Sequence, residues 1–460
     1  SSLGAIDAGI TTLLDWSHIQ GSPAHTDAVI QALKDSGMRA VFAYGFPWWG
    51  KWEERQPSWF VRAATEHFSS KDQLLTLALA APMTASAQKP IKVGVPLPLS
   101  GPPALFGDPA SKGAQMFVDE LNAKGGVLGR KIELVIRDSK ADANEAVRVA
   151  REMILKDNVD FLMGTLTSAE GPAVSVVAKE NKVVFIAPIP KTDQLTAPDK
   201  LHPYVFRIAA NTTMEGRSAA EIVAKWPVTK VATIAFDYAY GQDVTKAFVD
   251  HIKKIKPSVQ IVDQQWPKLG EQDYNPFINA QMAKKPEAIV SSIWGGFFVT
   301  YSKQGKAVGM FDAVKYNFIG LGEAGSPETT KSMGADYPVG IWGNSYDAFY
   351  WDQSGAHKEY TEKLSRYLKD EYPSSWAIQG YTGMQFLVEA IKKAGSTDSD
   401  KVAKALLGLT IDTPIGKQTI REKDHQANRG QLYGKTVKDP KYPFPIMKPV
   451  EYLDPTKFMD

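Results

Sequence analysis

The sequence predicts an α/β protein in which two parallel-sheet lobes enclose a cleft. From Lys89 onward, β-branched runs alternate with helix-length segments that carry their apolar residues on one face. This alternation occurs in two consecutive series, which indicates two separate βαβ layers. The composition, with 43% hydrophobic and 23% charged residues in 460, is typical of a globular chain of two or three domains.

The first series spans residues 91–187. It opens with the β-branched run Ile91–Val95, and the next helix carries Ala114, Phe117 and Leu121 on one face. Its other predicted elements are helices over 111–123, 144–156 and 172–180 and strands over 131–137, 159–163 and 183–187. The second series is predicted to have strands over 230–236, 259–265, 288–292 and 317–320 and helices over 242–255, 276–284 and 298–308. Each series therefore predicts one parallel sheet covered by helices.

Charge and cysteine content exclude several classes of protein. The formal net charge is +2, and no block of Lys and Arg residues provides the basic face that nucleic-acid binding requires. The chain has no Cys, which excludes disulfides, thiolate nucleophiles, iron–sulfur clusters and Cys-ligated zinc. No apolar stretch reaches the about 20 residues that a membrane-spanning helix needs. We therefore expect no nucleic-acid partner.

An apolar run, Leu74–Met83, is followed by small residues at Ala85 and Ala87. The run is too short to span a bilayer, and the small residues fit a signal-peptidase site. This pattern is typical of the end of a secretory signal peptide, although it lies well inside the chain. A buried helix of an upstream domain is the alternative for Leu74–Ala81. We expect the sequence from Lys89 onward to be a complete exported protein.

Ligands of open α/β sheets bind beyond the carboxyl ends of the strands, where loops lead into helix N-termini. After the predicted strand that ends at Met163, the chain passes through hydroxyl residues to Ser168 and enters a helix with Pro172 near its first turn. Because a helix N-terminus attracts anions, Ser168 is a candidate for binding a carboxylate. A plain helix cap is its alternative role.

Three motifs follow one another in this part of the chain: Ile91–Pro102, Asn122–Lys131 and Asp138–Ala146. Together with Tyr238–Gly241 and Asp424–Gln426, they resemble the type I periplasmic solute-binding proteins of ABC importers, the leucine/isoleucine/valine-binding family. The resemblance covers residues 89–460.

The resemblance implies a two-lobed periplasmic binding protein type I fold with two parallel-sheet α/β domains and a three-segment hinge. Hinge crossings are expected near Asn211, Asn344 and Gly416. The first lobe then comprises residues 89–210 plus 344–416, and the second comprises residues 211–343 plus 417–460. Residues 83–88 are a signal-peptide-like remnant or linker. A periplasmic location is implied for the binding protein, and export of the whole chain as written stays open.

The resemblance also implies a pocket that draws on both lobes. Ser168 matches the serine that holds a ligand carboxylate, and the loop of Ile189 and Lys191 completes that subsite. Lys191 occupies a position where a small hydroxyl residue is usual in the family. Two roles are open for it: it pairs with an acidic group of the ligand, or it points to solvent, which is the usual case for a lone Lys. Glu323 resembles the carboxylate that accepts a ligand ammonium group. The aromatic residues expected around the ligand are Phe106, Tyr240, Trp294, Phe297 and Tyr346.

These residues predict a receptor that captures a small carboxylate-bearing ligand by closing its two lobes. The aromatic residues suit an aromatic acid as well as a branched amino acid. Glu323 favours a ligand with an ammonium or amide group, because an unpaired buried carboxylate is costly. An amino-acid-like ligand therefore stands ahead of an aromatic acid. We expect a monomer that delivers its ligand to an ABC transporter permease, without enzymatic activity, cofactor or metal; an amide-responsive sensor of the same fold is an alternative.

The N-terminal part carries a second resemblance. Its predicted elements are a strand over Gly9–His18, a helix over His25–Ser36 and a strand over Ala40–Tyr44. With Gly45–Pro47 and Phe68–Ala81, they resemble the metal-dependent amidohydrolases of the cytosine-deaminase and chlorohydrolase type. That family is a (β/α)₈ barrel, so residues 1–82 would be a partial barrel fragment.

A hydrolase activity is not expected from this fragment. The family's His-x-His metal motif is missing, and His18 and His25 belong to different predicted elements. A partial barrel leaves an apolar face uncovered, so we expect an inactive fragment that is loosely packed or docked on the receptor. A gene fusion, an assembly error and an artificial join all explain the junction, and the sequence does not choose among them.

Overall fold

The computed structural model describes residues 12–17, 22–45, 57–68, 74–80, 89–352, 355–454 and 456–459. The chain divides into two compact units, residues 1–88 and residues 89–460. Within the described residues, no helix combines the length and the hydrophobicity that crossing a membrane requires.

The first unit contains a three-stranded parallel sheet in which the strands pair in sequence order. Its elements are β1 (Thr12–Ser17), α1 (Pro23–Asp35), β2 (Arg39–Gly45), α2 (Pro57–His67) and β3 (Leu75–Ala80). Ser22 caps α1 by accepting a hydrogen bond from the His25 N–H, and Pro23 occupies the first turn. The core of the unit consists of Ile30, Leu33, Ala40, Phe42, Ala63 and Leu75.

Six residues of the apolar run Leu74–Met83, which was interpreted as the end of a signal peptide, form strand β3. Residues Leu75–Ala80 pair in parallel with Ala40–Gly45 of β2, and Leu75 is buried. The alternative, a buried helix, is wrong for Leu75–Ala80, because these residues form a strand. Pairing with β2 provides backbone hydrogen bonds along Leu75–Ala80, whereas a helix of six residues is too short to be stable by itself. His18 and residues 83–88 lie outside the described residues.

The second unit begins with a five-stranded parallel sheet in the order β5-β4-β6-β7-β8, which forms the first lobe. Its elements are β4 (Ile91–Leu97), α3 (Ala104–Ala123), β5 (Ile132–Asp138), α4 (Ala143–Leu155), β6 (Phe161–Met163), α5 (Glu170–Asn181), β7 (Phe185–Ala187) and β8 (Val205–Arg207). Strands β4, β6, β7 and β8 are almost fully buried and rich in apolar residues because helices cover both faces of a parallel sheet, whereas the edge strand β5 is largely half-buried. This lobe follows the predicted order of strands and helices.

The second lobe is built on a seven-stranded sheet in the order β10-β9-β11-β12-β13-β16-β17. Its first elements are α6 (Thr212–Ala224), β9 (Lys230–Ile234), α7 (Ala239–Ile255), β10 (Gln260–Gln265), α8 (Asn275–Ala283), β11 (Ala288–Ser291), α9 (Gly295–Ala307), α10 (Met310–Val314), β12 (Phe318–Gly320), α11 (Pro327–Met333) and β13 (Trp342–Ser345). Asn211 caps α6 by accepting the Met214 N–H at 2.8 Å.

After β13 the chain returns to the first lobe and then completes the second sheet. The elements are α12 (Gly355–Leu368), α13 (Ala377–Ala394), α14 (Ser399–Leu406), the hairpin β14 (Thr410–Thr413) and β15 (Gly416–Thr419), β16 (Gln431–Val437) and β17 (Ile446–Leu453). Helix α13 packs closely on α3: a Cβ added to Gly380 would lie 1.9 Å from the Ala110 carbonyl oxygen. Strands β16 and β17 extend the second sheet in antiparallel pairing.

The third hinge crossing lies later than the position predicted near Gly416. The Arg207 N–H donates to the His425 carbonyl at 2.9 Å, and the Ala427 N–H donates to the Arg207 carbonyl at 2.8 Å. Residues up to Ala427 therefore belong to the first lobe, and the chain joins the second sheet at Gln431. The pairing of His425–Ala427 with the end of β8 gave no signal in the local pattern, because the two segments are distant in sequence.

Helix α3 begins at Ala104, seven residues before the predicted start at Ser111. Pro109 lies inside this helix. The earlier start places Phe106 in the first turn of α3 and not in a loop.

Candidate functional site

A cavity of about 30 Å³, partly open to solvent, lies between the two lobes of the second unit. It lies where loops after strands β6 and β7 of the first lobe face loops after β9, β11 and β12 of the second. Its lining consists of Phe106, Leu166, Thr167, Ser168, Ile189, Lys191, Tyr238, Tyr240, Trp294, Gly322, Glu323 and Trp376. A cleft at the carboxyl ends of parallel strands is the usual ligand site of such sheets.

The start of helix α5 presents Ser168 to this cavity. The Thr167 hydroxyl accepts the Glu170 N–H at 3.1 Å, and the Glu170 carboxylate accepts the Thr167 N–H at 2.8 Å. This reciprocal pair fixes the turn around Ser168. The Ser168 hydroxyl oxygen accepts the Thr192 N–H at 3.1 Å, which leaves its hydrogen to donate into the cavity.

Glu170 is fully buried beside this turn. Burial raises the pKa of its carboxyl from 4.5 to about 7, although hydrogen bonds from Ser139 and Thr167 act in the opposite direction. A carboxyl group with a pKa raised to about 7 therefore lies behind the turn of Ser168, although Glu170 is not among the residues that line the cavity.

Lys191 is buried in the cavity wall and does not point to solvent. Its Nζ lies 2.9 Å from Oε2 of Glu215 and 2.5 Å from Oε1 of Glu323. Burial by itself lowers the pKa of Lys191, but these two carboxylates outweigh it and hold the pKa well above 10.5. The lysine is therefore charged, and its ion pairs join the first lobe to the second.

The two carboxylates are held by further hydrogen bonds within the second lobe. Glu215 accepts from Asn344 Nδ2 at 2.8 Å and from the Gly322 N–H at 3.2 Å. Glu323 accepts from Gln431 Nε2 at 2.8 Å. Burial raises the pKa of Glu323, and the ammonium group of Lys191 opposes that rise. The cluster is thus a paired and hydrogen-bonded ionic network, as a buried charge requires.

The loop that carries Lys191 is held in place by Arg207. The buried guanidinium donates to the Thr192 carbonyl, to Thr196 Oγ1 at 2.8 Å and to the side chain of Gln426. Gln426 belongs to the motif Asp424–Gln426 that the sequence analysis noted. That motif therefore acts on the site indirectly, by positioning the loop of Lys191.

Aromatic rings form the apolar end of the cavity. Phe106 stacks on Trp376 with ring centroids 4.0 Å apart and an angle of 9° between the planes, and Trp294 lies 6.2 Å from Phe106. Trp294 Nε1 donates to the Tyr238 hydroxyl at 3.1 Å. The buried Tyr240 hydroxyl has no hydrogen-bond partner among the described residues. A ligand that brings a polar group would satisfy it.

Seven of the nine predicted residues line the cavity. They are Phe106, Ser168, Ile189, Lys191, Tyr240, Trp294 and Glu323. Phe297 lies behind the wall and packs edge-on against Trp294 at 5.5 Å. Tyr346 packs edge-on against Trp376 at 5.4 Å, and its ring centroid is 5.0 Å from Lys191 Nζ. Their role in ligand binding stays a prediction.

Five further residues line the cavity and were not among the predicted ones: Leu166, Thr167, Tyr238, Gly322 and Trp376. Tyr238 immediately precedes helix α7 and lies two residues before Tyr240, so the prediction of Tyr240 already pointed to this segment. Trp376 follows no strand and enters the cavity from the end of a helix that packs on α3. Nothing in the local sequence indicates that position.

Comparison with known proteins identifies the family. The model of the periplasmic binding protein family matches residues 90–439. The chain belongs to this family. The match confirms the predicted two-lobed fold class for the second unit, and it confirms that this periplasmic binding protein is a solute-binding protein and not an enzyme.

Individual relatives agree with this assignment. The leucine-, isoleucine-, valine-, threonine- and alanine-binding protein of Pseudomonas aeruginosa is 27% identical over 344 residues, which are 74% of this chain and 87% of that protein. One similar structure is a solute-binding protein of an ABC transporter from Rhodopseudomonas palustris BisB5, solved with 3,4-dihydroxybenzoic acid. It has a TM-score of 0.70 at 24% sequence identity, and the match covers 80% of this chain and 99% of that protein. Another is a branched-chain amino acid transporter substrate-binding protein from Streptococcus pneumoniae, solved with isoleucine. It has a TM-score of 0.69 at 22% sequence identity, and the match covers 79% of this chain and 99% of that protein. The two structures are similar to this periplasmic binding protein in fold.

In the first unit, Asp27, Glu66 and His67 lie close enough together to bind a metal ion. Arg62 donates to the carboxylates of Asp27 and Glu66, and His67 Nε2 lies 2.9 Å from Asp27 Oδ1. The cluster is thus an ion-pair network on the unit's surface. It does not contain the His-x-His motif of the resembled hydrolases.

Proposed function

We propose that residues 89–460 form the periplasmic receptor of an ABC importer and that its ligand is an aromatic carboxylate. The lysine in the pocket carries this proposal. Among the described residues that line the cavity, Glu323 alone is acidic, and its carboxylate is already paired with Lys191 at 2.5 Å. A ligand ammonium group would have to displace this ion pair. A ligand without an ammonium group would not.

The shape of the apolar end supports a flat ligand. Phe106 and Trp376 already form a stacked pair, and Trp294, Tyr238 and Tyr240 surround the same space. Aromatic side chains favour stacked and edge-on contacts with another ring, which orient a planar ligand.

The polar end supports a carboxylate. The Ser168 hydroxyl lines the cavity just before helix α5, and its hydrogen is available to a ligand because its oxygen accepts the Thr192 N–H. The Tyr240 hydroxyl supplies another donor from the second lobe. A bound carboxylate would therefore contact both lobes.

Branched-chain amino acids are the second candidate ligands. The relative from Pseudomonas aeruginosa is named for binding leucine, isoleucine, valine, threonine and alanine. Glu323 also lies where the sequence analysis places the acceptor of an ammonium group. This candidate requires that Lys191 leave its place between Glu215 and Glu323.

The proposed mechanism is ligand-stabilised closure. The ligand binds Ser168 in the first lobe and Tyr240 in the second, so its affinity is greater for the closed form than for the open form. The closed form is then recognised by a membrane permease. No covalent bond is made or broken.

Two pairs of ligands that differ by one ammonium group test the ligand class. Isothermal titration of the full chain compares 3-phenylpropanoate with L-phenylalanine, and 4-methylpentanoate with L-leucine. We expect the acid without the ammonium group to bind at least tenfold more tightly in each pair, with benzoate as a shorter aromatic probe. Ser168→Ala should weaken binding of the acids, because it removes a donor at the polar end. Tighter binding of both amino acids would refute the aromatic-acid assignment.

For residues 1–82 we propose a fragment of an amidohydrolase barrel without activity. Three parallel strands paired in sequence order, with helices between them, are what the first part of a (β/α)₈ barrel would contribute. Metal analysis of the full chain tests this proposal. Stoichiometric zinc or iron would contradict it.

A further inference from the structure

The pocket contains a complete ammonium-binding site that the protein fills with its own side chain. Lys191 comes from the loop after β7 in the first lobe, whereas Glu215 on α6 and Glu323 after β12 belong to the second. The exposed fractions of these three side chains are 6%, 0% and 2%. The Lys191 ammonium is therefore enclosed by protein at the lobe interface.

Two aromatic rings complete the surroundings of this cation. Its Nζ lies 5.3 Å from the ring centroid of Tyr240 and 5.0 Å from that of Tyr346. Two carboxylates and two ring faces are the groups that bind an alkylammonium ion most favourably. Neither carboxylate depends on Lys191 for its position, because Asn344 and Gln431 hydrogen-bond to them from the second lobe. The site therefore persists if the lysine ammonium is removed.

We propose that Lys191 is the specificity-determining residue of the pocket, a tethered ammonium that occupies the cation site and excludes ligands that carry their own ammonium group. This inference rests on the proposed function in one respect, since it treats the interlobe cavity as the ligand site. A tethered group competes with a free one at a high effective concentration, so the exclusion holds at ordinary ligand concentrations.

Shortening the side chain should reverse the specificity. Lys191→Ala leaves Glu215 and Glu323 without their cation, and the ammonium group of an α-amino acid can then enter between them. We expect L-phenylalanine and L-leucine to bind Lys191→Ala at least tenfold more tightly than they bind the wild-type chain. Isothermal titration of the full chain measures both affinities.

Two control variants separate charge from space. Lys191→Met removes the charge but keeps an unbranched side chain of similar length, so it should gain no affinity for amino acids. Adding Glu323→Gln to Lys191→Ala removes one of the two anions and should cancel most of the gain. A Lys191→Ala chain that gains no affinity, or a Lys191→Met chain that gains as much, would overturn the proposal.

The outcomes distinguish this inference from the proposed function. If wild-type protein binds neither aromatic acids nor amino acids but Lys191→Ala gains amino-acid binding, the ligand assignment fails and the role of Lys191 stands. If wild-type protein binds aromatic acids and Lys191→Ala gains nothing, the ligand assignment stands and the role of Lys191 fails. If wild-type protein binds amino acids as tightly as Lys191→Ala does, both fail.

Chemical rescue provides a readout that does not require an α-amino acid. Ethylammonium chloride should raise the thermal midpoint of Lys191→Ala by several degrees more than that of wild type or Lys191→Met, because the free cation re-pairs the two carboxylates. The same salt can be present during purification if the variant folds poorly. A variant that remains unfolded with ethylammonium, or a folded variant that does not respond to it, would count against an ammonium site at this position.

Discussion

Replacing Glu170 by Gln should change the stability of the protein in a pH-dependent way. The folded-state pKa of about 7 lies above the ordinary value of 4.5, so the folded chain binds more protons than the unfolded chain between these pH values. Stability is then lost as pH rises through this interval. The interval from 4.5 to about 7 corresponds to about 3 kcal/mol at roughly 1.4 kcal/mol per pH unit. Because Gln cannot ionise, the variant does not lose this stability as pH rises.

Urea denaturation at pH 5 and pH 8 measures the effect. Glu170→Gln should have nearly the wild-type free energy of unfolding at pH 5, where the carboxyl is mostly neutral in the folded chain, and should exceed wild type by up to about 3 kcal/mol at pH 8. The matched control is Glu180→Gln on the same helix, where the carboxylate is exposed and pairs with Arg151. That change should have the same small effect at both pH values. An equal effect of Glu170→Gln at pH 5 and pH 8 would refute the burial argument.

Two glycine substitutions give further predictions. Gly322→Ala would place a Cβ 2.6 Å from Cβ of Trp294 at a backbone φ of +68°, so ligand affinity measured by titration should fall more than tenfold. The control is Gly309→Ala, where φ is +73° and no atom lies within 4 Å of the added Cβ. It introduces the same backbone strain of about 1–2 kcal/mol and should leave ligand affinity unchanged. Gly380→Ala would place a Cβ 1.9 Å from the Ala110 carbonyl oxygen, so helices α3 and α13 must move apart. The free energy of unfolding should then fall by about 1–3 kcal/mol. An unchanged thermal midpoint would show that this close packing is not required.

Much of the site could be predicted because it is made of loops that directly follow strands. Ser168, Lys191 and Tyr240 each come shortly after a strand that is recognisable from its apolar pattern. The carboxyl ends of parallel strands share one edge of a sheet, so these loops must meet. Trp376 could not be found in this way, because it reaches the cavity through the packing of α13 on α3.

The sequence by itself determined the order of strands and helices, since buried parallel strands and amphipathic helices have periodicities that are local in the chain. It also determined which family the chain resembles from residue 89 onward. It did not determine the environment of Lys191, for which solvent exposure was the usual expectation. Only the tertiary structure brings Glu215 and Glu323 of one lobe to the lysine of the other, 24 and 132 residues away in sequence. A charge can be buried only where such partners converge, and that convergence is set by how the lobes pack and not by any local pattern.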